Sequence, residues 1–247
     1  MSLSGFATFL TTTSAEVAEM MGTAGWDWLL LDLEHGSISL GAVPNLLRAV
    51  GSGVPVLARV PHLERHAIAA ALDAGCAGVV VPQVGSVAQA RQAIAWAKYP
   101  PLGERSVGLS RAQAYGARLE FAITTANAGT RLVIQIEHRT AVAQVEEIAA
   151  LPGLDGVLVG PYDLSGSFGK LGQVDDSEVQ AAMTHTRDVC LARGVPCGLF
   201  VASPEMAAQK KHDGWSFLLV STDLQHLSRA VRETMRLLDR DPAQPTP

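Results

Sequence analysis

Short, nearly uninterrupted apolar runs recur along this chain, and most are followed by a longer segment in which apolar residues return every three or four positions. The runs are Gly5 to Leu10, Trp26 to Asp32, Val54 to Pro61, Gly78 to Pro82, Arg131 to Glu137, Asp155 to Val159, Pro196 to Phe200 and Trp215 to Ser221. Runs so short and so apolar read as strands buried on both faces, the habit of parallel sheets. Between them the spacing predicts helices. Thr13 and Ser14 cap one that carries Val17, Met20 and Met21 and closes at Gly22 and Gly25. Others are predicted over residues 41–50, 63–74, 86–98, 177–193, 204–212 and 224–238, with one more between Glu137 and Asp155. Eight strands alternating with helices predict a single (β/α)8 TIM barrel over residues 1–240, followed by a proline-rich tail, 241–247, expected to be disordered. A doubly wound open sheet would announce itself by a glycine-rich phosphate turn after the first strand, and the chain has none.

Composition supports one large core. Hydrophobic residues make up 48% of the 247 positions and charged residues 17%, a balance that favours burial over disorder. With a net charge of −5 and no cluster of Lys and Arg, nucleic acid is excluded as the main partner. Cys76, Cys190 and Cys197 lack metal-ligand spacing and read as buried, reduced thiols. Neither a leader-like N-terminus nor a membrane-length apolar run is present, so the expected location is the cytoplasm.

In a barrel, chemistry belongs where the strands end. Two successive predicted strands each end in an acid, Glu137 and Asp163, and a barrel brings both to one rim. An acid after a strand is often only a helix cap or a solvated loop residue. A pair one strand-helix unit apart points instead to a hard divalent cation such as Mg²⁺ or Mn²⁺. Gln135 lies two residues before Glu137 and shares its face, while Gly160, Pro161 and Tyr162 shape the turn before Asp163. His35 and Arg59 end two further strands, with Asp32 and Glu34 beside the histidine. The run from Tyr99 to Gly116 is irregular, contains Arg105 and Arg111, and reads as a functional loop.

The segments Leu31-Asp-Leu-Glu-His-Gly36, Ala58-Arg-Val-Pro61, Ala71-Leu-Asp-Ala-Gly75, Tyr99-Pro-Pro101, Gln135-Ile-Glu137 and Gly160-Pro-Tyr-Asp-Leu164 together resemble the HpcH/HpaI aldolase family, class II pyruvate aldolases. The resemblance runs in order from about Gly5 to the last helix. It implies reversible cleavage of a 4-hydroxy-2-oxo acid to pyruvate and an aldehyde, with a divalent cation (Mg²⁺, Mn²⁺ or Co²⁺) held by Glu137 and Asp163. It further implies that His35 accepts the C4 hydroxyl proton, that Asp73 raises the basicity of His35, and that Arg59 stabilises the substrate carboxylate or developing oxyanion. Gln135, Gly160, Tyr162 and Asp163 would contact substrate. The same resemblance implies a homo-oligomer, a hexamer built as a trimer of dimers with exchanged terminal helices. Two departures stand out: His138 replaces a small Thr or Ser, and Ser221-Thr-Asp223 replaces Gly-Ser-Asp. Related enolate chemistry on oxaloacetate, and a non-catalytic barrel homologue, are the competing readings.

Overall fold

The computed structural model describes residues 1–240, so the predicted tail over 241–247 lies outside the described residues. Eight parallel strands close into a barrel in sequence order. They are β1 (Gly5–Leu10), β2 (Trp28–Asp32), β3 (Val56–Arg59), β4 (Gly78–Val81), β5 (Arg131–Ile136), β6 (Gly156–Val159), β7 (Cys197–Val201) and β8 (Phe217–Thr222). All eight correspond to predicted runs. The helices are α1 (Ala15–Thr23), α2 (Val43–Val50), α3 (Arg65–Asp73), α4 (Val87–Ala97), α5 (Leu119–Gly129), α6 (Arg139–Val142), α7 (Val145–Ala149), α8 (Pro161–Ser167), α9 (Ser177–Ala192), α10 (Pro204–Lys210) and α11 (Asp223–Leu237).

Alternation along each strand divides the core into two layers. Ala7, Phe9, Trp28, Leu30, Leu57, Val80, Val133, Leu158, Phe217 and Leu219 pack together inside the barrel, while Leu29, Leu31, Ala58, Val79 and Ile134 face the helices. Trp28 meets Phe217 edge-on at 5.4 Å between ring centroids. Gly198 makes room for that pair, because a Cβ there would lie only 1.9 Å from the nearest atom of the Phe217 ring. The inward parity then decides what the upper rim presents. Following Trp28 and Leu30 inward leads to Asp32, Leu57 leads to Arg59, and Val133 leads to Gln135.

Local differences from expectation have physical causes. The single helix expected after Glu137 is two short pieces, α6 and α7, and Gln144 at their junction has non-helical backbone angles. The turn before Asp163 begins the short helix α8: Pro161, with its fixed φ, occupies the first helical position and Asp163 falls in the first turn. Helix α5 was not predicted. Leu119, Ala122, Ile123 and Ala126 have helical spacing, but the stripe is short, largely alanine and only half-buried, with none of the residues of α5 fully buried in this chain. No helix among the described residues is long and apolar enough to cross a membrane.

Candidate active site

A cleft of about 280 Å³ opens at the carboxyl ends of the strands. Its walls include His35, Arg59, Gln135, Gly160, Tyr162 and Asp163, all expected there, together with Asp32, Phe9, Thr11, Phe200 and Thr222. Asp32 and Arg59 are register partners on β2 and β3 and share the inward face. The arginine fork closes on the carboxylate, with Nε donating to Oδ1 at 3.0 Å and an Nη donating to Oδ2 at 2.7 Å. Its other Nη lies 3.2 Å from Glu34, and its guanidinium carbon sits 4.6 Å over the Phe9 ring. Arg59 is thus held between three neighbours, with its remaining N–H groups available to a substrate oxygen. Asp32 also accepts the backbone N–H groups of Glu34 and His35 at 3.1 and 3.2 Å. That turn presents the exposed His35 ring at the cleft rim, with Nε2 3.9 Å from Glu34.

Glu137 sits deeper, just past the end of β5 and 7% exposed. Gln135 Nε2 donates to its Oε2, and the backbone N–H of Gln83 donates to Oε1 at 2.6 Å. Gly160 permits this arrangement, since a Cβ there would lie 2.8 Å from Glu137 Oε2 and 3.1 Å from Gln135 Nε2. Burial pushes the Glu137 carboxyl above its ordinary value; the two hydrogen bonds oppose the rise, and the nearby charges of Glu34 and Asp163 add to it. Burial likewise raises Glu34, against the pull of Arg59, His35 and Gln83.

These observations fit a cation. Among the described residues no three His, Cys, Asp or Glu side chains form a cage. The charge of Asp163 nonetheless adds to the rise of Glu137, and the buried Gln135 Oε1 has no hydrogen-bond partner. A divalent cation with water or substrate completing its shell suits such a donor set. A buried acid whose native pKa is raised contributes full stability below its ordinary value of 4.5, and loses it as pH rises through the native value. Cation-free protein is therefore expected to lose the contribution of Glu137 and Glu34 between acid and neutral pH. Mg²⁺ at about a hundred times its Kd is expected to return about 2.7 kcal/mol, or about 5–10 °C in melting temperature. Calorimetry at pH 5 and pH 8 checks this: without cation, Glu137→Gln should lose less stability than wild type between the two pH values, and it should show no Mg²⁺ increment. Equal increments in the two proteins would refute it.

The remaining expected residues divide. Asp73 lies at the end of α3, outside the cleft of its own chain, where it accepts a 2.7 Å hydrogen bond from Arg105. His138 is exposed and caps α6, its Nδ1 accepting from the Thr140 N–H at 3.3 Å. Ser221 adopts a φ of +58°, which accounts for glycine being common at this position in the family it resembles. Next to it, Asp223 is 2% exposed and takes the N–H groups of Thr11 and Thr12 at 3.0 and 3.2 Å, fixing the loop after β1 against the start of α11. Sequence reading left Asp32, Glu34, Gln83, Thr11 and Asp223 without roles. For Asp32 and Glu34 a signal was present, as acids beside His35 at the end of the strand next to the one ending in Arg59.

A closed parallel barrel whose strand ends gather acids, a forked arginine and a histidine on one cleft has the architecture of a barrel enzyme. The chain belongs to the HpcH/HpaI aldolase/citrate lyase family, whose model matches residues 6–230. It is 35% identical to a hydroxypyruvate/pyruvate aldolase of Paraburkholderia phytofirmans, over 94% of this chain and 92% of that one. It is also 35% identical to a 2-dehydro-3,6-dideoxy-6-sulfogluconate aldolase of Pseudomonas putida, over 92% and 90%. A crystal structure of a family protein from Burkholderia cenocepacia superposes with a TM-score of 0.91 at 33% identity, covering 95% of this chain and 94% of that one. The chain is accordingly a carbon–carbon lyase of the aldolase type.

Proposed function

We propose that this enzyme is a divalent-metal-dependent aldolase that reversibly cleaves a 4-hydroxy-2-oxo acid to pyruvate and an aldehyde, with Glu137 and Asp163 as the metal ligands. Glu137 carries the reading. It is a buried carboxylate with neutral donors on both oxygens, two further acids close enough to raise its pKa, and no ion-pair partner among the described residues. Four acids, Asp32, Glu34, Glu137 and Asp163, gather around a single arginine, so the site is short of positive charge, and a substrate that chelates through a carboxylate and a keto oxygen uses a cation well. The cation, when bound, supplies Lewis-acid stabilisation of the charge that builds as the C3–C4 bond breaks. Mg²⁺, Mn²⁺ and Co²⁺ all suit the oxygen donors.

The chain's own groups do the rest. Arg59, locked by Asp32, offers its remaining N–H groups to the substrate carboxylate or developing oxyanion. His35, at the rim, accepts the C4 hydroxyl proton, a task suited to an imidazole near neutral pH. Gln135 and the backbone at Gly160 and Tyr162 orient the oxo acid, and Phe9 and Phe200 give the cleft an apolar wall.

Assembly belongs to the same proposal. Leu224, Leu227 and Val231 on α11 are 52%, 58% and 48% exposed and form one apolar stripe that this chain leaves uncovered. A homo-oligomer, as a hexamer with exchanged terminal helices, would cover that stripe. Because Asp73 stands away from its own cleft, any pairing with His35 requires a second copy.

Proton–deuterium exchange at the pyruvate methyl group, followed by NMR on stripped protein and again with Mg²⁺, Mn²⁺ or Co²⁺ restored, tests the reading. Exchange that depends on the metal is expected. Its absence with all three ions would remove pyruvate as the nucleophile and turn attention to oxaloacetate.

A further inference from the structure

Gln83 follows β4 and Pro82 on the rim next to β5, and its backbone is in the left-handed region, at φ +57°. Side chains with a Cβ avoid that region, and an outlier persists only where its surroundings over-determine it, a situation that clusters at active sites. Here both flanking residues, Pro82 and Val84, are buried while Gln83 itself is exposed, so packing anchors the turn on either side. The left-handed turn aims the Gln83 N–H at Glu137 Oε1, at 2.6 Å. The carboxamide of the same residue donates from Nε2 to Glu34 Oε1 at 3.1 Å. Glu34 in turn faces Arg59 at 3.2 Å and His35 at 3.9 Å. A single residue therefore spans from the acid beyond β5 to the charged cluster beyond β2. Glycine would adopt the same turn with less strain, but it could make only the first of these contacts.

We propose that Gln83 is a positioning residue with two separable tasks: its main-chain N–H orients Glu137 for the cation, and its carboxamide holds Glu34 in place against Arg59 and His35. The inference rests on Glu137 being a metal ligand. Outer partners of metal-binding side chains typically govern affinity or turnover by about 10–100-fold.

Two substitutions separate the tasks, read by Mn²⁺ titration of the full-length protein and by steady-state kinetics of pyruvate–aldehyde condensation. Gln83→Gly keeps the turn and loses the carboxamide, so the Mn²⁺ Kd is expected to stay within about twofold while kcat falls about tenfold at little-changed KM. Gln83→Val disfavours the turn and swings the N–H away, so the Mn²⁺ Kd is expected to rise about tenfold. Gln83→Ala, with a smaller penalty, takes its place if the valine variant does not fold. A kcat within twofold of wild type in Gln83→Gly overturns the carboxamide's role, and an unchanged Kd in the valine or alanine variant overturns that of the N–H. Glu137→Gln keeps the two readings apart. If it binds Mn²⁺ as wild type does, the metal-ligand assignment fails; if it loses Mn²⁺ while the Gln83 variants behave as wild type, only the present proposal fails.

Discussion

Glu137→Gln is expected to lower kcat for aldol cleavage by about 10³-fold, with circular dichroism and the elution volume of the protein unchanged. Lewis-acid stabilisation of a developing charge is worth several kcal/mol, and each 1.36 kcal/mol is about tenfold in rate, so about 4 kcal/mol corresponds to that loss. The substitution keeps the shape of the side chain and removes its charge. One of its two present contacts, from Gln135 Nε2 or from the Gln83 N–H, must then face an NH₂ group instead of an oxygen. Raising the cation concentration should not restore turnover. A variant retaining a tenth or more of wild-type kcat in metal-saturated assays would show that the cation, if bound, is held elsewhere.

Arg59→Ala should be the most damaging change to stability near the cleft. Asp32 is 3% exposed and spends both carboxylate oxygens on the arginine fork, so removing Arg59 strands a buried charge. Breaking a buried pair in this way costs about 3–5 kcal/mol, which for a chain of this size lowers the melting temperature by about 10 °C or more. Arg59→Lys keeps the charge without the fork and should lie between wild type and alanine. The companion measurement is the double variant Asp32→Asn, Arg59→Met. It removes both charges and is expected to regain most of the lost stability while staying inactive, because exchanging a buried ion pair for neutral groups is often nearly cost-free. If the double variant melts no higher than Arg59→Ala, the cost comes from lost packing over Phe9 or from Glu34, which also faces the arginine, and not from the Asp32 carboxylate.

The two variants draw on different kinds of information in the chain. Glu137 was legible because strand alternation is a local rule: Gln135 and Glu137 share a face in any strand, whatever its neighbours. The same holds for the eight runs themselves, whose apolar character follows from burial on both faces and names the strands before any contact is known. His35, Arg59, Gly160, Tyr162 and Asp163 followed from the further rule that a barrel gathers strand ends at one rim, and they do line one cleft.

What the amino-acid sequence by itself determined is therefore the barrel, its rim and the polar residues set along that rim, because each depends on periodicity within one element. Tertiary structure alone decided how those residues are paired. The Asp32–Arg59 fork needs the register between β2 and β3, and the placement of Asp73 against Arg105 needs the path of the long loop after α4. The Gln83 bridge needs a left-handed turn that no side chain with a Cβ advertises, and α5 carries only a short, largely alanine stripe that stays half-buried in this chain. Pairing across elements depends on register, backbone handedness and loop path, and none of these leaves a repeating mark in the order of residues.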